Sequence, residues 1–123
     1  MEPVKPKISV EYANNAAIVT FIDEKILEEK DVQTLQTAIM PVVESLSAGT
    51  ILVLDFRNVR FLSSAVLGLL IKLSKKVYEQ DGKLGLCNIN PKIYEIFKIT
   101  RLTKIFDIYQ DIESAVESLS KPD

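Results

Sequence analysis

Two adjacent serines, Ser63 and Ser64, interrupt the apolar stretch FLSSAVLGLL at residues 61–70, and their hydroxyl groups stand out as the reactive groups of the chain. None of the 123 residues is histidine, so the usual general base, the commonest transition-metal ligand and every histidine-containing triad are absent. The four glycines match neither a P-loop nor a dinucleotide-binding fingerprint. A hydrolase elbow would need small residues where Leu62 and Val66 stand. We therefore predict a protein that is not an enzyme and that uses no cofactor or metal.

The two serines directly precede a segment with helical periodicity, and a hydroxyl in that position has two uses. A serine before a helix can accept a hydrogen bond from a free backbone N–H, which is worth about 1 kcal/mol, and we predict this capping role for Ser63. Ser64 is predicted to point outward in the first turn. A phosphate on Ser64 would face the positive end of the helix dipole and add about two negative charges. The two uses, a structural cap and a regulatory switch, are compatible.

The composition indicates one globular domain, because the hydrophobic fraction of 47% and the charged fraction of 26% are ordinary for such proteins. The net charge is −2 and no basic stripe alternates with aromatic residues, so we expect no nucleic-acid partner. The single cysteine, Cys87, lies in an apolar run that predicts a buried strand. The N-terminus lacks the apolar stretch of a signal peptide, and the longest apolar run, Ala65–Ile71, is far too short to span a bilayer. We expect a soluble, cytoplasmic protein without membrane insertion.

The first part of the chain predicts a β-hairpin followed by a helix. Apolar and polar residues alternate from Lys7 to Tyr12, Asn14-Asn15 favours a tight turn, and Ala16–Ile22 is rich in β-branched and aromatic residues. Apolar residues then recur at helical spacing over Lys30–Ser47. Because Pro41 lies inside that window, we expect a kink there or a break into two shorter helices.

The rest of the chain alternates between strands and helices. A continuous apolar run predicts a strand at Ile51–Phe56 that is buried on both faces, and strands are also predicted at Lys83–Asn88 and Ile105–Tyr109. Asn90-Pro91 and Asp111 have the residue types that begin helices. The residues predicted to face the core from the three helices are Val66, Leu70, Leu73 and Val77; Ile93, Ile96 and Phe97; and Ile112, Ala115, Val116 and Leu119.

This alternation predicts a single α/β domain. An N-terminal β-hairpin is followed by alternating helices and strands, which form a mixed sheet of four to five strands with helices packed on it. The strands after the hairpin should be parallel and joined by right-handed crossovers. We place the domain at residues 7–119, between flexible tails at residues 1–6 and 120–123.

Several segments of the sequence resemble the STAS domain of anti-sigma factor antagonists and their relatives. These segments follow the order and spacing of that family and cover nearly the whole chain: Leu54-Asp55, Val59–Leu62, the two serines, Leu67-Gly68, Asn90-Pro91, Phe106 and Asp111–Ala115. The resemblance implies the same mixed α/β fold and a role in binding another protein.

The family has a loop motif, Asp-Ser-Ser/Thr-Gly-Leu-Gly, whose first hydroxyl residue is phosphorylated by a partner kinase. The resemblance places Ser63 at the aspartate and Ser64 at the phosphorylated serine. Ala65 then stands at the second hydroxyl residue and Val66 at the first glycine, while Leu67-Gly68 matches the end of the motif. Three of the six motif positions therefore differ.

The resemblance implies an anti-sigma factor antagonist that binds a kinase-type anti-sigma factor and so releases a sigma factor. The partner would be a serine protein kinase of the histidine-kinase-like ATPase type. Phosphorylation of Ser64, with Ser63 as the second candidate, would switch this binding off. The antagonist itself is expected to be a monomer or weak dimer. The motif differences leave a second hypothesis open, a phosphorylation-independent adaptor or subunit of a transport, lipid-trafficking or signalling scaffold complex.

The predicted partner-binding surface combines this loop with the acidic turn after the second strand, which stands in place of the family's Gly-Glu-Ile/Leu-Asp turn. Its predicted members are Asp23, Glu24, Arg60, Phe61, Ser63, Ser64, Val66 and Leu67. The charged residues after the third predicted strand are Asp55, Arg57 and Arg60. The alternative to a binding role for them is that they are solvated charges of an exposed loop. Phe56 and Phe61 are predicted to pack beneath the loop.

Overall fold

The computed structural model describes residues 6–122, so most of the predicted N-terminal tail and the last residue lie outside the described residues. Four helices and seven strands occur within this range: β1 (Ile8–Ala13), β2 (Ala16–Phe21), β3 (Lys25–Ile26), α1 (Glu29–Glu44), β4 (Ile51–Asp55), β5 (Phe61–Leu62), α2 (Ser64–Glu79), β6 (Lys83–Cys87), α3 (Pro91–Ile99), a 3-10 turn (Leu102–Lys104), β7 (Asp107–Tyr109) and α4 (Ile112–Ser120).

Five of the strands form one mixed sheet in the order β1-β2-β4-β6-β7. β1 and β2 are antiparallel and are joined by a turn in which Asn14 has a positive φ of 56°, as the predicted hairpin requires. The other neighbours are parallel, which confirms the predicted mixed sheet. The short strands β3 and β5 form a separate parallel pair. Two residues per strand are too few to produce an alternating pattern, so the sequence does not reveal this pair.

The core lies on both faces of β4, as its continuous apolar run predicts. Leu52 and Leu54 pack on the face that is covered by α1, α2 and α3. Ile51 and Val53 pack on the opposite face, against residues of α4. All five residues of β4 are buried, and the central strand therefore holds the two layers of helices together through apolar contacts.

The structure corrects two details of the predicted helices. α1 is one helix that continues through Pro41 without the predicted break, because a proline in the last turn removes only one hydrogen bond of the helix, and it ends at Glu44 rather than Ser47. On α3, Ile96 is an exposed residue rather than a core residue, since Ile93 and Phe97 alone fill the helix's contact with the sheet. Ile105 is exposed as well, because a 3-10 turn precedes β7 and the strand begins only at Asp107.

Candidate functional site

The start of α2 lies beside the acidic turn that follows β2. β2 and β4 are parallel, so the segments that follow them leave the sheet at the same edge. The N–H groups of Arg60 and Phe61 both donate to the carbonyl oxygen of Glu24, at 2.8 and 3.1 Å, and the N–H of Ser63 donates to the carbonyl oxygen of Ile26 at 3.0 Å. The backbone thus brings the acidic turn, the loop after β4 and the first turn of α2 to one surface, as the sequence predicts.

The two serines differ in their surroundings. Ser64 is the first residue of α2 and is exposed, as predicted. Ser63 occupies the N-cap position, but its hydroxyl makes no capping hydrogen bond, and its Oγ is enclosed without a hydrogen-bond partner in the part of the chain that the structure describes. The predicted cap is therefore wrong. The N–H of Val66, which such a cap could satisfy, donates to the carbonyl oxygen of Ser63 at 3.0 Å instead.

The exposed face at the start of α2 consists of small residues. Ser64, Ala65 and Gly68 are all exposed, and a Cβ added at Gly68 would meet no atom within 4 Å. Ser64 and Gly68 are one helical turn apart and share a face. A glycine inside a helix destabilises it by roughly 0.5–1 kcal/mol relative to alanine, and no packing contact explains this one. The stripe formed by Ser64, Ala65 and Gly68 is therefore flat and open to an approaching surface.

The aromatic and apolar residues of the predicted surface divide into two groups. Phe61 is 46% exposed beside the stripe, with the Lys25 ammonium 5.7 Å from its ring centroid, so the prediction that it packs beneath the loop is wrong. Phe56 is fully buried, as predicted. Val66 and Leu67 are also buried, because they belong to the core-facing side of α2. These two predicted contact residues do not lie on the surface.

The charged residues at this edge form ion pairs. Arg60 Nε lies 3.2 Å from Glu24 Oε1, with both side chains largely exposed. Lys7 Nζ lies 2.8 Å from Asp23 Oδ2, and this hydrogen bond raises the pKa of Lys7 above its ordinary value of 10.5. The Arg60–Glu24 pair is exposed, so it contributes little to stability, and its charges remain available to attract or repel a partner.

Asp55 departs from the predicted exposed loop, because it is fully buried at the end of β4. Its Oδ1 accepts hydrogen bonds from the backbone N–H of Arg57 at 3.0 Å and from Asn88 Nδ2 at 2.9 Å. Its Oδ2 accepts from Arg57 Nε at 2.6 Å and from Thr20 Oγ1 at 3.2 Å. Four donors from β2, the loop after β4 and the end of β6 therefore satisfy one buried carboxylate.

Two asparagines hold the same loop at other points. Asn58 Nδ2 donates to the carbonyl oxygen of Phe21 at 2.9 Å, and Asn90 Nδ2 donates to the carbonyl oxygen of Val59 at 3.0 Å. Together with Asp55 they connect the loop that carries Arg60 to the ends of the two neighbouring strands, β2 and β6. The signal that sequence reasoning missed is an aspartate that directly ends a buried apolar run, where an unpaired charge would be costly.

The structure of residues 6–122 also bears on three other features: a metal site, a reactive thiol and a membrane-spanning helix. Among residues 6–122 no group of three or more histidine, cysteine, aspartate or glutamate residues is placed to hold a metal ion. Cys87 is buried, as predicted, and burial raises the pKa of its thiol from 9.0 to about 12, so the thiolate is scarce at neutral pH. No helix in the described range has the length and apolar character to cross a membrane.

The sequence and the fold both match known proteins. The family model of the STAS domain matches residues 7–115. An anti-sigma F factor antagonist from Paenibacillus polymyxa is 28% identical over 68 residues, which are 55% of this chain and 58% of the relative. A Bordetella bronchiseptica protein named as an anti-sigma factor antagonist, BtrV, is 32% identical over 63 residues, 51% of this chain and 54% of the relative. The matches thus span little more than half the length of these curated relatives.

The fold is similar to that of a solved structure over almost the whole chain. The anti-sigma-factor antagonist (STAS) domain protein from Planctomyces limnophilus superposes with a TM-score of 0.85 at 18% identity, and the superposition covers 93% of this chain and 98% of that chain. At this level of identity the superposition establishes the fold.

Proposed function

Because the chain belongs to the STAS domain family, we propose that it is an anti-sigma factor antagonist that docks on a kinase-type anti-sigma factor and thereby releases a sigma factor. The names of the two relatives support the antagonist role. The observation that carries the docking site is the open stripe of Ser64, Ala65 and Gly68 beside the half-exposed ring of Phe61. A flat backbone next to an aromatic side chain offers close approach and an anchor for a partner.

The proposed docking surface consists of this stripe and its neighbours. Phe61 supplies apolar area, and the exposed pair of Arg60 and Glu24 supplies charges that orient the partner. Asp23 flanks the surface but is engaged with Lys7. The partner would be a serine protein kinase of the histidine-kinase-like ATPase type, and the complex would form in the cytoplasm.

We further infer that phosphorylation of Ser64 switches docking off. Ser64 is exposed, so a kinase can reach its hydroxyl. The N–H of Val66 donates to the carbonyl oxygen of Ser63, but the Ser63 side chain does not cap α2, so it does not compete with a phosphate at the positive end of the helix. The domain itself tolerates the added charge for this reason. In a dehydrated interface the same dianion lacks a partner and is costly, so binding should be lost while the fold is kept.

The experiment uses the tagged full chain to capture partners from the source cells, with the Ser64→Ala variant as the form that stays active. A captured protein with an ATPase-type kinase domain is expected, and its affinity is then measured by calorimetry. Ser64→Glu should abolish binding, whereas Ser64→Gln, which has the same size without the charge, should retain most of it. Incubation of the captured kinase with ATP should label the wild type and leave Ser64→Ala unlabelled.

One result would contradict the phosphorylation switch, and a second would contradict the docking surface. If Ser64→Glu binds the captured partner as tightly as the wild type, and no kinase labels Ser64, the second hypothesis of a phosphorylation-independent adaptor takes its place. The sequence differences from the family motif at Ser63, Ala65 and Val66 favour that adaptor. If Gly68→Ala leaves affinity unchanged, the stripe on α2 is not the docking surface.

A further inference from the structure

The end of α3 and the turn that follows expose three isoleucines. Ile96, Ile99 and Ile105 are 36%, 77% and 55% exposed, and we call them the isoleucine patch. The same helix already fills its core contact with Ile93 and Phe97, which are fully buried. Ile99 and Ile105 are more than half exposed and are not among the residues that pack against the core, so packing does not explain why they are apolar. Grouped apolar residues without a packing role are typical of interaction sites.

The residues around the isoleucine patch are basic. Pro91–Phe106 contains one acidic residue, Glu95, and four cations. Lys92 lies at the start of α3, whereas the remaining three cations are close in sequence to Ile99 and Ile105, and we call these three the basic rim: Lys98, Arg101 and Lys104. The segment therefore has a charge of +3, whereas the whole chain has −2 and the remaining residues carry −5. Lys98 lies 3.9 Å from Glu95, and the other three cations form no ion pair with residues 6–122. The positive charge is thus local and unneutralised.

The isoleucine patch is separate from the surface around Ser64. α3 begins beside the loop after β4, where Asn90 contacts Val59, and runs back along the parallel strands β6 and β7. Its last residue, Ile99, is therefore about 12 Å along the helix axis from the end that lies beside this loop. Arg101, with a φ of +62°, then reverses the chain into the 3-10 turn. An occupant of the patch would leave Ser64 accessible.

We propose that the isoleucine patch and its basic rim adsorb the protein to an anionic lipid surface. Ile99 stands clear of its neighbours over most of its side chain, so it protrudes and does not line a groove. A protruding apolar side chain in a basic segment fits the membrane interface, where isoleucines enter the acyl boundary and cations meet phosphate headgroups. This contact is peripheral and needs no spanning segment.

The charges and side chains argue against other occupants. Two copies of this chain that met through the patch would bring two surfaces of like charge together, which is unfavourable. Single-stranded nucleic acid is held by aromatic residues that stack on bases, and the centre of this patch is aliphatic. An acidic protein remains a competing occupant, and a lipid-binding test separates it from the membrane.

The test is sedimentation of the full chain with vesicles of pure phosphatidylcholine and with vesicles that also contain phosphatidylglycerol. Binding is expected only to the anionic vesicles and should weaken as salt is raised. Replacing Arg101 and Lys104 by glutamine should lower the partition coefficient about 25-fold, since each cation contributes about fivefold. Ile99→Ser should also lower it, without changing the thermal unfolding curve.

Two matched controls make the result specific. Lys72→Gln with Lys75→Gln removes the same charge from exposed positions of α2, and Tyr12→Ser removes an exposed apolar side chain from β1; both should bind like the wild type. Absence of binding to anionic vesicles, or an equal loss in the lysine control pair, would overturn the proposal. A dimer that depends on Ile99 in sedimentation velocity, without lipid binding, would assign the patch to a second copy instead.

Discussion

Replacing Asp55 by alanine should destabilise the domain by about 3–5 kcal/mol, because it removes the acceptor of four hydrogen bonds from the interior. The two donors to Oδ1, the Arg57 N–H and Asn88 Nδ2, lose their shared acceptor, at about 1–3 kcal/mol for each unsatisfied donor. The ion pair itself adds little, about 1 kcal/mol at most, since the Arg57 side chain is 54% exposed and can turn to water. Thr20 Oγ1 loses a longer hydrogen bond of 3.2 Å, which contributes less.

Asp55→Asn is the matched control, because it keeps an oxygen at Oδ1 and exchanges only Oδ2 for an amide nitrogen. The donors at Oδ1 stay satisfied, while the new NH2 group faces Arg57 Nε, another donor. We expect a cost of about 1–2 kcal/mol, clearly smaller than that of alanine. Urea unfolding followed by circular dichroism measures both variants, with equal m-values as the sign that only stability changes.

The relative loss of stability in Asp55→Ala and Asp55→Asn shows which property of Asp55 stabilises the fold. Equal costs for asparagine and alanine would mean that the negative charge, and not the acceptor at Oδ1, stabilises the fold. A cost below about 1 kcal/mol for alanine would mean that water replaces the carboxylate and that Asp55 does not hold the loop after β4. High salt should reduce the difference in unfolding free energy between the wild type and Asp55→Asn only slightly, because salt screens the ion pair and the ion pair is the smaller contribution.

Three further predictions follow from the same structure. Leu70→Ala should cost about 2–5 kcal/mol in urea unfolding, because the side chain is buried in the main core; a loss near zero would mean that the register of α2 is wrong. Gly68→Ala should stabilise the domain by about 0.5–1 kcal/mol. Gly85→Ala should destabilise it, because the added Cβ would lie 2.7 Å from Cδ1 of Leu119. Similar melting temperatures for these two variants would contradict both predictions. The pKa of Cys87 is raised to about 12, so the protonated thiol stabilises the folded state fully below pH 9, and this stabilisation is lost as pH rises towards 12. A Cys87→Ala variant should lack this alkaline loss of stability. In the native wild type, a thiol reagent should react with Cys87 only after unfolding.

The elements of this fold could be predicted because their signals are local. The helical stripe on α2, the continuous apolar run of β4 and the Asn14-Asn15 turn each reflect the geometry of a few neighbouring residues. Alternation of such elements then determines that the later strands are parallel, and parallel strands bring the segments after β2 and β4 to one edge. Together with the resemblance to the STAS family, this topology predicts that Glu24, Arg60 and Ser64 lie at one surface.

The individual roles of the residues at that edge were decided only by the tertiary structure. Whether Asp55 is solvated or buried depends on donors from Thr20 and Asn88, which lie far from it in sequence. The pairing of β3 with β5 holds the backbone of Phe61 and Ser63, which leaves the aromatic ring outside and the serine hydroxyl enclosed. These outcomes depend on contacts between segments that are distant in the chain, and local propensity carries no information about such contacts.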